Sequence, residues 1–220
     1  MQNQSFEKID ESLYRDYFSH LLIGDYQYNF YIVNSLIKAN VEIKDLYINL
    51  FQRSLYEVGT LWEHNRISVT VEHIATSITE SLMTLVYPII FASEKIGKSA
   101  VVASIVNEFH QIGGKMVADI FEINGWDGYF LGADKSYNDL VSLIDSKEPC
   151  IVGLSLSISF NFKNLIDIAE RLIRQYPSLK IIVGGQGFKY IPLEVLQPYN
   201  QNLEYIDTLF GLEKVIKDFN

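Results

Sequence analysis

The stretch AVVASIVNEFHQIGG, residues 100–114, decides the fold. Residues 100–106 form a short apolar run rich in β-branched side chains, the pattern of a strand buried on both faces. Polar residues follow at once, Asn107, Glu108 and His110 among them, and then an amphipathic segment over 111–124 that opens with Gly113 and Gly114. Strand, polar turn and helix in that order make one βα unit. The rhythm repeats downstream, with further strands expected over 128–131, 150–156, 180–183 and 204–209. Helices over 137–146, 162–176 and 211–219 alternate with or follow them.

Five such strands predict a flavodoxin-like α/β domain, a five-stranded parallel sheet flanked by helices, over residues 96–220. Before residue 95 the period is different. Leu46, Leu50, Phe51, Leu55, Val58, Leu61 and Trp62 recur at three- and four-residue steps and predict one helix. A break over 63–67 follows, then Ser68 as N-cap and an apolar stripe from Val71 to Val86. With two earlier segments, 7–22 and 25–38, this makes a four-helix bundle over residues 1–95. Residues 94–99 read as the linker.

Composition excludes several classes. Hydrophobic residues make up 48% and charged residues 20%, as in ordinary globular chains. The longest apolar stretch, 82–92, is interrupted by Thr84, Tyr87 and Pro88, so no membrane span is expected. The polar, acidic start lacks the features of a secretion signal, and a cytoplasmic location is expected. A single cysteine, Cys150, leaves no intrachain disulfide and is expected to be buried at a strand start. The net charge of −9 is shared by both halves, with 7 basic and 12 acidic residues in 1–95 and 11 and 15 in 96–220. Neither half suits a phosphate backbone.

Open parallel sheets bind ligands beyond the carboxyl ends of their strands, near the point where strand order reverses. Three segments should meet there: Glu108 to Gly114, Ser155-Leu156-Ser157, and Gly184-Gly185. Glu108 two residues before His110 lets a carboxylate hold one ring nitrogen while the other faces a metal. A capped loop histidine is the other reading of the same pair. Gly113, Gly114, Gly184 and Gly185 allow close backbone approach to a bulky ligand. No phosphate loop, no dinucleotide fingerprint and no nucleophile elbow is legible.

Glu108-x-His110-x-x-Gly113, forty-one residues, Ser155-x-Ser157, twenty-six residues and Gly184-Gly185 resembles the cobalamin fingerprint of methionine synthase and its relatives. The resemblance implies that His110 is the lower cobalt ligand and that Glu108 tunes it. It further implies that Ser155, Gly184 and Gly185 line the slot for the displaced nucleotide tail. Ser157 stands where that family carries Leu, Thr or Val. In the helical half, Trp62, nine residues, and Glu72-His73 resembles the light-sensing module of CarH-type adenosylcobalamin photoreceptors. That likeness implies a helical cap over the upper corrin face, with the three residues around an adenosyl group.

The bundle begins close to Met1, leaving no room for the DNA-binding module of those repressors, and no direct nucleic-acid binding is expected. Two functions are therefore in view. One is a cobalamin sensor, most readily of adenosylcobalamin, signalling through a protein partner or self-association. The other is a corrinoid shuttle protein of a methyltransferase system, for which methylcobalamin would be a natural form. The photoreceptors carry, directly after the motif tryptophan, a histidine that ligates cobalt after photolysis. Here Glu63 holds that place and His64 lies one residue on. The expected photoproduct is water-ligated, with His64 an upper ligand only if the helix end unwinds.

Overall fold

A computed structural model of the chain describes residues 8–104, 110–132 and 135–219. They form two compact units that part between Ile89 and Ile90. The first is helical, with α1 (Glu11–Leu22), α2 (Tyr26–Lys38), α3 (Arg53–Glu63) and α4 (Val69–Met83). Side chains set the starts. Asp10 accepts from Leu13 N at 2.9 Å, Asp25 from Tyr28 N at 3.0 Å and Ser68 from Val71 N at 3.3 Å. The Asp10 cap is why α1 begins at Glu11 rather than near residue 7.

The periodic run expected from Leu46 to Trp62 is helical throughout, but Leu46–Gln52 is wound as a π-helix leading into α3. The amide of Arg53 reaches Ile48 O, five residues back. That wider turn keeps Leu46, Tyr47, Leu50 and Phe51 all buried. Tyr14, Tyr17 and Leu21 of α1 and Ile32 and Leu36 of α2 are likewise fully buried, and the Tyr17 and Phe51 rings lie 6.4 Å apart.

The second unit holds β1 (Ser99–Ser104), β2 (Asp127–Phe130), β3 (Ile151–Ser155), β4 (Lys180–Gly184) and β5 (Leu203–Ile206). All neighbours are parallel and the order is β2-β1-β3-β4-β5, the flavodoxin-like arrangement expected. Its helices are α5 (Ile112–Ile123), α6 (Tyr137–Lys147), α7 (Phe162–Gln175) and α8 (Leu209–Phe219). Strand side chains alternate between two faces. Val101, Ala103, Val152, Leu154, Ile181 and Val183 pack with α6 and α7. Ala100, Val102 and Ser104, with Ile151, Gly153 and Ser155, point to the face that α5 covers.

Three local expectations need correction. The last strand ends at Ile206, because Thr208 Oγ1 accepts from Gly211 N at 3.1 Å and draws Leu209 into α8. Cys150 is half-buried and precedes β3. The supposed linker is tied into the α/β unit: Ile96 N donates to Gly125 O at 2.9 Å, and Lys95 bridges Glu122 and Asp127. Among the described residues no helix is long and apolar enough to cross a membrane.

Candidate functional site

Strand order reverses between β1 and β3, so the carboxyl ends of those two strands flank the natural ligand crevice. The register there is decisive. Ser104 of β1 pairs with Ser155 of β3, and Ser155 pairs with Gly184 of β4. One row across three strands thus carries two serines and a glycine, all on the α5 face. Both serine side chains are buried, Ser104 at 1% and Ser155 at 9% exposure.

The chain leaves β1 and returns as α5 directly above this row. His110 is exposed, just before the N-cap Gln111 of α5, and its carbonyl accepts from Ser104 Oγ at 3.4 Å. Gly113, in the first turn of α5, faces the row: a methyl placed on it would lie 3.9 Å from Ser155 Oγ, with nothing nearer among the described residues. Gly114 instead packs on the Phe130 ring, which a methyl would approach to 2.7 Å. Glu108 lies outside the described residues.

Gly184 and Gly185 are glycines for a reason the motif alone does not reveal. A methyl on Gly184 would come 2.6 Å from Ile206 O, and one on Gly185 2.2 Å from Leu156 O. Gly185 also has φ +112 and ψ 165, a region open to glycine alone. The close neighbour of both is therefore the chain's own backbone. Their part is to let the loop after β4 fold over the end of β3, where Gly187 N donates to Leu156 O at 3.0 Å. Ser157 is half-buried at the start of the loop after β3.

Residue-by-residue reading missed Ser104, Gly153 and the buried Asn161, which follows the loop after β3. The signal was present for two of them. A serine closing an apolar strand and a glycine inside one each break an otherwise continuous run of Val, Ile and Ala. Asn161 closes a short 3-10 turn and precedes the first residue of α7, a position that reads in the sequence as a helix start and not as a site.

In the helical unit, Trp62 lies near the end of α3 and is 47% exposed. His64 caps that helix, its Nδ1 at 2.7 Å from Thr60 O, so it already lies past the helix end expected to need unwinding. The chain turns through Asn65, at φ +54, into the Ser68 cap of α4. Glu72 then falls in the first turn of α4, where the helix dipole favours a carboxylate. It pairs with His73 Nδ1 at 2.5 Å and accepts from Thr76 Oγ1 at 3.1 Å. His73 itself is largely exposed.

A family profile described as "B12 binding domain" matches residues 98–208, the α/β unit with its serine and glycine row. The chain belongs to the B12-binding domain family. A second profile with the same description matches residues 14–87, in the helical unit. This is a cobalamin-binding protein. Among solved structures, the monomethylamine corrinoid protein of Methanosarcina barkeri is similar at TM-score 0.81 and 14% identity, over 96% of this chain and 100% of that one. The methanol:cobalamin methyltransferase complex of the same organism matches at TM-score 0.50 and 14% identity, over 96% and 81%. A cobalamin-binding protein from Desulfitobacterium hafniense DCB-2 is 18% identical over 93% and 97%, at TM-score 0.49. At these identities the likeness is one of fold: a helical part and a five-stranded parallel sheet flanked by helices.

The residues fit the cofactor the family implies. Gly113 leaves space against Ser155 Oγ that a larger residue would fill, the buried serine hydroxyls offer hydrogen bonds beside it, and an exposed imidazole stands at the mouth.

Proposed function

We propose that this protein is a corrinoid carrier, holding cobalamin with His110 as the lower cobalt ligand and offering the other face to a methyl-transferring partner. The observation that carries this reading is the agreement of both units together with a corrinoid protein, over 96% of this chain and the whole of that one. The methyltransferase complex of the same organism, similar in fold, supports a protein partner. By the motif resemblance Glu108 would hold the outer nitrogen of His110, fixing its tautomer and raising its basicity. Gly113 and Ser155 take the displaced nucleotide tail, and Gly184, Gly185 and Ser157 shape the strand end and loops around it. Bound cobalamin supplies a cobalt centre that accepts and releases a methyl group. The photoreceptor-like motif of the helical unit would assign Trp62, Glu72 and His73 to the upper ligand.

A sensor is the second reading, favoured by the Trp62, Glu72 and His73 constellation, which a simple carrier does not require. One experiment separates the two. The protein is loaded in the dark with methylcobalamin or adenosylcobalamin, then illuminated while absorption and size are followed together. A carrier binds methylcobalamin at least as tightly and keeps its size in light. A light-driven change in oligomeric state would overturn the carrier in favour of the sensor. In either case the expected photoproduct is water-ligated, since Glu63 and not an imidazole directly follows Trp62. Wild type and His64→Ala then give the same spectrum, and a bis-histidine spectrum confined to wild type would refute this.

A further inference from the structure

We infer that Gly153 sets the depth of the tail slot and so selects the size of the lower base that cobalamin may carry; this rests on the placement of the nucleotide tail beside Ser155. Gly153 lies two residues below Ser155 on β3, on the same face of the sheet, and about 6.6 Å further in. Its partners in the register are Val102 and Ile182. A glycine in the middle of a central strand weakens the sheet and commonly marks close approach by a ligand or another backbone. Here no backbone approaches. The nearest atoms to an added methyl are side-chain carbons, Val102 Cγ2 at 3.4 Å and Ile182 Cγ1 at 3.5 Å, which is ordinary contact.

The other glycines of the unit differ. Apart from Gly113 and Gly153, each is held to that residue by the chain itself, through a group within 3.2 Å of an added methyl or through a positive φ. The two left over lie on either side of Ser155, Gly113 on α5 with Ser155 Oγ as its neighbour and Gly153 two residues before Ser155 on the same face of β3. A pair of missing side chains on facing elements is what a flat group inserted between helix and sheet needs. Gly113 opens the entrance and Gly153 the floor.

The test uses two ligands, cobalamin and cobinamide, the latter sharing the corrin but lacking the nucleotide tail. Wild type is expected to prefer cobalamin. Gly153→Val keeps a strand-forming residue in the strand and is expected to lose about tenfold or more in cobalamin affinity while holding cobinamide within about twofold. Gly153→Ala should fall between. If Gly153→Val retains the full preference for cobalamin, the depth-setting role is overturned and the tail slot stands. Equal loss of both ligands also overturns it, by assigning the position to folding. A wild type that binds the two ligands equally would instead overturn the placement of the tail.

Discussion

The carboxyl edge of the α/β unit and the turn between α3 and α4 both carry recognised motif residues, but they are held in different ways. In the α/β unit Ser104, Ser155 and Gly184 share one register row, so displacing any of them means breaking parallel backbone pairs. In the helical unit the positions are set locally. Arg66 N donates to Leu61 O at 2.8 Å and Asn65 N to Trp62 O at 2.9 Å, closing the end of α3, and Glu72 finds His73 as its sequence neighbour. The helical unit also contains the π-helical run at Leu46–Gln52. One region is preorganised for a ligand and the other is adjustable.

The largest test of this contrast is Gly185→Ala. The added methyl meets Leu156 O in a backbone region that only glycine enters, and about 3 kcal/mol of stability should be lost from the α/β unit. Each unit has one tryptophan, buried Trp126 in the α/β unit and exposed Trp62 in the helical unit. Urea unfolding followed by Trp126 fluorescence in a Trp62→Phe background reads the loss directly. Unchanged unfolding would show that the strand ends are less constrained than the register implies.

Next in size is His110→Ala. Removing a partner of a metal ligand alone weakens metal binding about 10–100-fold, so loss of the ligand itself should weaken cobalamin by at least about tenfold. The absorption spectrum should lose its histidine-ligated character at the same time. A variant with wild-type affinity and spectrum would remove His110 from the cobalt.

The smallest effect concerns how the helical unit is pinned. Glu11 accepts from Arg53 Nη2 at 2.6 Å and from Arg15 Nε at 2.8 Å, joining α1 to the start of α3. The hydrogen bond from Arg53, then that from Arg15, holds its carboxyl below the usual 4.5. A lowered folded value means the stabilisation is complete above the unfolded value and fades as pH falls through the folded one. Thermal stability of the helical unit should therefore decline below pH 4.5 in wild type and less steeply in Glu11→Gln. Added salt should narrow the gap, because these groups are exposed. Parallel curves would show that the pairs contribute nothing.

Much of this was legible in the residues. The change of period near residue 95, the five apolar runs and the cap at Ser68 follow from local chemistry: side-chain periodicity and short-range hydrogen bonds depend on neighbours in sequence. The motif spacings pointed to the carboxyl ends of β1, β3 and β4 for the same reason, since each motif sits just after its strand. Three matters were not legible. The π-helical turn at Leu46–Gln52 arises because four large side chains must all reach one core, a demand set by α1 and α2. The start of the α/β unit at Ile90 depends on Lys95 meeting Glu122 and Asp127, residues distant in sequence. The glycines divide only in three dimensions: Gly184 and Gly185 answer to the backbone of Ile206 and Leu156, whereas the nearest described neighbours of Gly113 and Gly153 are side-chain atoms at 3.4 Å or beyond. The sequence by itself determined the elements, their order and the family, because those rest on local pattern. Only the tertiary structure decided which small residues serve the fold and which leave room for a ligand, because that depends on what stands opposite each missing side chain.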